Sequence, residues 1–450
     1  MRVHHLLCIF AVALAVLVAV PAVAGAVPPQ YPNGWTFATS GLRQIPTSVD
    51  TRAFCKGPAG TVYEVALGKT TALYASIARI RVSDGKLIKS WTYPATPGNG
   101  VIPRAAASDA AGNLYVAAET LTGKKNWVVL KFDRIGRRLW SRTYDSGRGP
   151  DTPYGMVIDH HGNVIVAGTS EHAGGYDAAI VKWRAGGGLK WKRMISARGL
   201  DLVTGLAVDA NDNVYAAGQR GEVGGIGTAI LRSWTSGGRE RWTATAVNTL
   251  GAPSWRYVAV KGTSVYIAGQ STGIPSTSSL MAMKYTTAGR RAWSGIRQMS
   301  FASGAWAEGL AVDRKGAPVI VGIAFGLGAS GEDEGTVWKP ASGGAPAWHR
   351  EFEDPDFPND SAFRAVGVDS RNRIYAAGGK YYSAQTANLL MVRYSPAGSA
   401  QAMWRSDGQQ SGYCSFTSVL VLSDTQVLAA GQVAGNGADA GVYRARTTMP

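Results

Sequence analysis

The sequence predicts an all-β fold in which eight four-stranded units follow one another along the chain. Three observations predict it. The 450 residues include 57 Gly, 14 Trp and 18 Tyr but only 17% charged side chains, a balance that favours short strands and tight turns over amphipathic helices. A ten-residue segment recurs at intervals of fifty to fifty-six residues, the mark of one supersecondary unit repeated side by side. Most copies end in a strand carrying Trp, at Trp91, Trp140, Trp191, Trp242, Trp293, Trp348 and Trp404. Four short antiparallel strands per copy of this length describe the blade of a β-propeller, in which blades close into a ring and leave only short sheet edges.

The first element is an address. Arg2, His4 and His5 precede an apolar run from Leu6 to Val20, followed by Pro21 and the small residues 22–26. This is the order of a secretory signal peptide, with cleavage expected after Ala24 or Ala26. The run is shorter than the ~20 residues a membrane-spanning helix needs. Residues 1–26 are therefore read as a signal peptide and 27–450 as a propeller, secreted or associated with the cell envelope. No membrane-spanning segment is expected in the mature chain, and a monomer is expected.

The repeat anchors fall near 57, 109, 159, 209, 260, 313, 369 and 422. The clearest copies are Asp109-Ala-Ala-Gly-Asn-Leu-Tyr-Val-Ala-Ala118, Asp159-His-His-Gly-Asn-Val-Ile-Val-Ala-Gly168 and Asp209-Ala-Asn-Asp-Asn-Val-Tyr-Ala-Ala-Gly218. An apolar strand ends at the Asp, and Asp, Gly and Asn then make a hairpin turn because they tolerate positive φ. A third strand repeats an apolar-basic-aromatic ending, as in Ala179-Ile-Val-Lys-Trp183 and Leu390-Met-Val-Arg-Tyr394. The Trp strand is fourth. The last copy stops at Pro450 without its own Trp, whereas Gly34-Trp35-Thr-Phe-Ala-Thr39 precedes the first copy. An N-terminal strand completing the final blade is the expected closure, giving eight blades, with seven as the alternative if terminal copies degenerate. The Trp stripe is read as packing between sheets.

Removal of Cys8 with the leader leaves Cys55 and Cys414, in the inner-strand regions of the first and last copies. An exported chain can keep a disulfide there. Against it, Cys55 lies two residues before its anchor and Cys414 eight before its own, a stagger of roughly 20 Å at strand rise. The bridge stays open as an expectation.

The D-x-x-G-N-x-Y-x-A-G segment, the third strand ending in Lys and an aromatic, and the closing Trp together resemble the bacterial secreted β-propeller repeats of the SBBP type. The resemblance covers essentially the whole mature chain. It implies a binding or surface role and carries no catalytic residues to transfer; that family is usually described with seven blades. The chain is more loosely similar to the quinoprotein (PQQ) propellers, which have eight blades and a Trp in each, although their A-x-D/N-x-x-T-G-x-x-W-x spacing is not visible here.

In a propeller the loops entering the inner strands form a funnel near the axis. Counting five residues back from each anchor gives a predicted ring of Arg52, Arg104, Tyr154, Thr204, Trp255, Glu308, Arg364 and Thr417. The next residue is small in seven copies, Arg256 being the exception. Packing positions should repeat as the Trp does, so a large, polar, divergent ring points to a surface released from that constraint. Its arginines suit an anionic or polyhydroxylated ligand.

The formal charge of +16 favours anionic partners, yet the basic residues are spread through the repeats and no sequence-specific nucleic-acid motif is present. Asp209-Ala-Asn-Asp-Asn213 lacks the Gly and the Glu of a calcium loop. His160-His161 has no third ligand nearby in sequence, so no metal site is expected, and Glu332-Asp333-Glu334 reads as a solvated loop tip. No PQQ or calcium is required by any motif. The function expected is a secreted, non-enzymatic binding protein that recognises an anionic or polyhydroxylated cell-surface polymer or a protein partner. The alternative is a propeller enzyme, quinoprotein-like or acting on glycans, with Glu308 and the nearby Asp50, Asp151 and Asp201 as its carboxylates.

Overall fold

In the computed structural model of the protein, residues 50–446 are described, apart from short stretches that lie mostly between strands. Every regular element among them is a β-strand. Eight sheets follow in chain order, with successive strands paired antiparallel. Seven sheets hold a complete run of four strands, and the eighth, within 414–446, holds three among the described residues. The expected blade organisation is therefore present: seven complete blades and an eighth partial one. Trp35 and the segment proposed to complete the last blade lie outside the described residues, as do residues 1–26.

The first strands of the blades are Asp50–Lys56, Val101–Ser108, Asp151–Ile158, Asp201–Val208, Ala252–Lys261, Ala305–Val312, Ser361–Val368 and Cys414–Ser423. Each contacts the next, and the last returns to the first, so these strands surround the axis. Hydrophobic clusters between adjacent blades hold the ring together. The junction of blades 3 and 4, for example, buries Ile165, Ile180 and Trp191 with Val203, Val214 and Ile230. The closing junction packs Phe54, Val62 and Ile80 of the first blade on Leu428 and Ala430 of the last. A fully buried aliphatic side chain contributes about 1.5–3 kcal/mol, so each junction is a small core in its own right.

The Trp stripe has a second partner besides this packing. Four indoles donate Nε1–H to a carbonyl in the next blade: Trp140 to Ala185, Trp191 to Ser236, Trp242 to Thr287 and Trp348 to Pro396, at 3.0–3.1 Å. Their rings cover a turn glycine of that next blade, Gly187, Gly238, Gly289 and Gly398, each with φ between 86° and 88°. The regular docking of one blade on the next is thus present although the quinoprotein sequence spacing is not.

The repeated Asp organises the hairpin between the first two strands. Asp159 accepts from the amides of His161 and Asn163 and from the Asn163 side chain, and Asp209 is held in the same way by Asn211 and Asn213. This accounts for the oxygen-rich look of 209–213 without a cation. The third-strand base reaches back to the same Asp: Lys182 Nζ lies 2.7 Å from Asp159 and Lys339 Nζ 2.8 Å from Asp313.

Two expectations need correction here. No disulfide joins Cys55 and Cys414. Cys55 sits three residues after the ring position of its strand and Cys414 three before its own, so antiparallel pairing within each blade holds them at opposite ends of neighbouring inner strands, roughly 20 Å apart in register. Nor is 332–334 a solvated tip. Glu334 is buried at the start of the third strand of blade 6, and Asp333 accepts from the Gly326 amide.

Candidate functional site: an axial ring built on β-bulges

Each of the eight inner strands carries a β-bulge at an equivalent place. The register breaks between Thr51 and Ala53, Pro103 and Ala105, Val203 and Gly205, Ala307 and Gly309, Phe363 and Ala365, and Phe416 and Ser418. In blade 3, Pro153 and Gly155 pair with successive residues, leaving Tyr154 over. A bulge inserts one unpaired residue and re-aims its side chain. The residues so displaced are Arg52, Arg104, Tyr154, Thr204, Glu308, Arg364 and Thr417, the ring positions expected from the repeat. All are partly or fully exposed, while those of their neighbours whose burial is described are buried or half-buried.

Blade 5 departs from the expectation. Its bulge lies between Trp255 and Tyr257, so Arg256 holds the ring position. Trp255 is 1% exposed and packs in the core between blades 4 and 5. The cause is a shortened hairpin. Lys261 pairs with Ser264 across a two-residue turn, whereas Val208 pairs with Val214 across five residues in blade 4. The anchor in blade 5 is therefore Lys261, one residue later than the sequence pattern places it.

Small residues follow the ring positions because the next inner strand passes close by. A Cβ on Gly155 would stand 3.0 Å from the Thr204 carbonyl oxygen, and one on Gly205 would stand 3.0 Å from that of Arg256. Blade 5 instead places Tyr257 there. Burial, reinforced by Glu308, raises the Tyr257 phenol well above its ordinary range against the opposing charges of Arg256 and Arg364, and the side chain packs on the core between blades 5 and 6. Arg256 NH1 lies 3.6 Å from Glu308, and Thr204 donates to the Arg256 carbonyl at 3.1 Å. Ring members of blades 4 to 6 are thus physically coupled.

Arg104 is differently placed. Its NH2 lies 2.6 Å and its Nε 3.3 Å from Glu119, a carboxylate of its own blade that is 3% exposed. The further carboxylates proposed for an enzyme do not join the ring. Asp151 and Asp201 are fully buried, and Asp151 accepts from the Ser146 amide; nothing is described of the Asp50 side chain. A calcium ion takes about six to eight oxygen ligands, and the ring's one carboxylate, Glu308, is already paired with Arg256. The ring residues do not fit that ion. Their guanidinium groups fit an anion: each presents planar, bidentate donors matched to carboxylate, sulfate or phosphate oxygens.

The opposite face holds a constellation that sequence spacing could not reveal. His160 and His161, in the hairpin turn of blade 3, both face Asp212 in the turn of blade 4. His160 Nδ1 lies 2.8 Å from Asp212 Oδ1, and His161 Nδ1 pairs with Oδ2. The third group expected to be missing is supplied by the neighbouring blade.

No protein-family model and no curated protein matches the chain. Among solved structures, the quinohemoprotein alcohol dehydrogenase ADHIIG from Pseudomonas putida HK5 aligns with a TM-score of 0.54 at 12% identity, over 93% of this chain and 81% of that one. Sqt1 from Chaetomium thermophilum gives 0.55 at 10% identity over 90% and 100%. A europium-containing methanol dehydrogenase gives 0.51 at 12% identity over 88% and 85%. Likeness at these identities shows the fold alone, that of a β-propeller.

Proposed function

We propose that this chain is an exported, non-catalytic propeller that binds an anionic polysaccharide of the cell surface at the mouth of its axial channel. One observation carries the reading. The bulge positions repeat in all eight inner strands, yet their side chains diverge, and four of the eight are arginine. Positions that hold the blades together repeat their chemistry, as the docked Trp and the turn Asp do. Guanidinium groups carried on rigid inner strands match carboxylates or sulfates spaced along a sugar chain. The formal charge of +16 adds long-range attraction for such a polymer.

The test is calorimetric titration of the mature protein with a polyuronate, a sulfated galactan and a neutral glucan. The acidic polymers should bind and the neutral one should not. The double variant Arg256→Ala, Arg364→Ala should lose at least about tenfold in affinity, as expected for two desolvated charge-assisted contacts. Equal binding by the variant would overturn the reading. Depolymerisation of the polymer, or a stable quinone absorption band in the purified protein, would replace it with the enzymatic alternative.

A further inference from the structure

We propose that the face opposite the funnel carries a site for a divalent transition-metal ion, formed by His160, His161 and Asp212 at the junction of blades 3 and 4. The corresponding turn positions in other blades hold Ala110-Ala111, Ala210-Asn211, Arg314-Lys315 and Ser370-Arg371. Among these turns, only blade 3 presents two imidazoles. They meet the carboxylate of the next blade, Nδ1 of His160 on one oxygen and Nδ1 of His161 on the other.

Blade-to-blade capping explains part of this arrangement and leaves the rest over. Asp212 Oδ1 accepts the His160 amide at 2.9 Å, and Asn372 Oδ1 accepts the Arg314 amide at 2.7 Å in the same role at the junction of blades 6 and 7. Both residues have positive φ, 58° and 62°, at a position that is Gly112, Gly162 and Gly316 elsewhere. An amide oxygen therefore suffices for the cap. Asp424 of blade 8 also caps with a carboxylate, taking the Ser370 amide and hydroxyl with Arg371 beside them; what sets Asp212 apart is that both side chains facing it are imidazoles, groups that can ligate an ion.

Asp159 contributes position rather than a bond. Its ligand atoms and those of His161 and Asp212 lie within 4.8 Å of one another. However, its oxygens already accept the His161 and Asn163 amides, the Asn163 side chain and Lys182, which fills the capacity of a carboxylate. It fixes the turn from which both imidazoles project. The His160 and His161 side chains are 63% and 79% exposed and Asp212 4%, so an ion can enter from solvent, retain water ligands and rest on an immobile carboxylate. On binding, each imidazole would exchange its Nδ1 contact with Asp212 for the ion, offering the Nδ1 lone pair with the ring proton on Nε2; no co-reactant is needed. Two imidazoles and one carboxylate favour zinc, nickel or copper over magnesium or calcium.

The test titrates the full chain, free of any affinity tag and carrying His4→Ala and His5→Ala, with zinc chloride and separately with magnesium chloride. One saturable equivalent of zinc, with no magnesium binding, is expected. The pair His160→Ala, His161→Ala, which copies the turn of blade 2, should abolish binding, and Asp212→Asn, which keeps the cap, should weaken it by about tenfold or more. Asp212→Gly restores the residue that suits positive φ in three other turns; it should fold and lose the rise in Tm that zinc confers on the parent. Absence of saturable zinc binding in the parent, unchanged binding in the double alanine variant, or magnesium binding equal to zinc would each overturn the site.

Discussion

The indole of Trp191 lies so close to Gly238 of the following blade that a Cβ on the glycine would stand 2.6 Å from the ring. Gly238 has φ of 87°, and the same indole donates to Ser236 at 3.1 Å. Close approach and left-handed backbone thus coincide at one residue. Gly238→Ala should lose about 3 kcal/mol, combining overpacking with the left-handed penalty. Gly262→Ala is the control: φ is 57° but no heavy atom lies within 4 Å of its would-be Cβ, so about 1 kcal/mol is expected. Urea denaturation of the two variants separates the effects, and equal losses would mean that docking on the glycine adds nothing.

Asp159 and Lys182 form a fully buried ion pair at 2.7 Å; the base comes this close in blades that lack the second-strand tyrosine, whereas blade 2, which has both groups, keeps Lys131 at 3.8 Å from Asp109 while Tyr115 donates at 3.2 Å. Asp209 of blade 4 accepts the Tyr215 hydroxyl at 2.8 Å, and the residue at the Lys182 position is Ser233. Blade 3 has Ile165 where blade 4 has Tyr215, so a phenol is not available and a lysine supplies the donor. Blade 6 repeats the trade, with Val319 in place of the tyrosine and Lys339 2.8 Å from Asp313. Lys182→Met should therefore cost about 3 kcal/mol or more by leaving a buried charge unpaired, and adding Ile165→Tyr should recover part of the loss. Failure of any recovery in thermal denaturation would separate the tyrosine from this role.

The same carboxylates set the response to acid. Burial would raise the Asp159 carboxyl, but hydrogen bonds from Lys182 and Asn163 overcome it and hold the group below its ordinary value. Asp209 is lowered by Asn213 and Tyr215 against its own burial. At Asp212, burial is outweighed by the His160 amide and the two imidazoles, which bring it to about 2. A carboxyl lowered in the folded state stabilises it fully above the unfolded value of about 4 and loses that contribution as pH falls through the folded value. Stability measured by urea titration should be flat from pH 7 to about 5 on this account and fall between about 4 and 2. In Asp212→Asn the lower end of that fall should be shallower.

How much of this was legible in the sequence can be followed residue by residue. The blade count, the Trp stripe and the turn Asp are legible because they are packing solutions reused at each copy, and repetition exposes them. Seven of the eight ring positions follow from the same spacing. Trp255 fails because the blade 5 hairpin is shorter and lacks the Asp, so the anchor shifts by one residue and Arg256 takes the place. The bulges themselves were not legible, since an unpaired residue has no fixed chemistry. The meeting of His160, His161 and Asp212 was hidden for another reason: partners about fifty residues apart become neighbours only when blades stand side by side.

Within the ring, Glu308 is the one acidic member and lies 3.6 Å from Arg256. If the ring recognises an acidic polymer, Glu308 repels it and competes for the guanidinium. Glu308→Gln keeps the side-chain shape, removes the charge and releases Arg256. Affinity for a polyuronate should rise by about fivefold, equivalent to ~1 kcal/mol, and the gain should shrink at high salt as screening shortens the reach of the charge. Arg104→Ala should change affinity less than Arg256→Ala does in the Glu308→Gln background, because Arg104 is held by Glu119 at 2.6 Å. Titration calorimetry at two salt concentrations reads all three; weaker binding by Glu308→Gln would instead mark this carboxylate as a ligand contact.

The thiols offer a test of the fold that does not depend on ligand. Cys55 and Cys414 lie in adjacent inner strands but at opposite ends of them, and no disulfide joins them. Burial pushes the Cys55 thiol up to about 12, with a hydrogen bond to Ser108 opposing, and Cys414 is fully buried. Thiolate is the reactive form, so neither should be alkylated by iodoacetamide at about pH 8 in the native protein. Both should react once the chain is unfolded without any reductant. Mass spectrometry of the peptides containing the two residues distinguishes this from a bridge, which would leave both unmodified until reductant is added. Recovery of a linked peptide pair would mean that the first and last blades meet in a different register from the one their inner strands show.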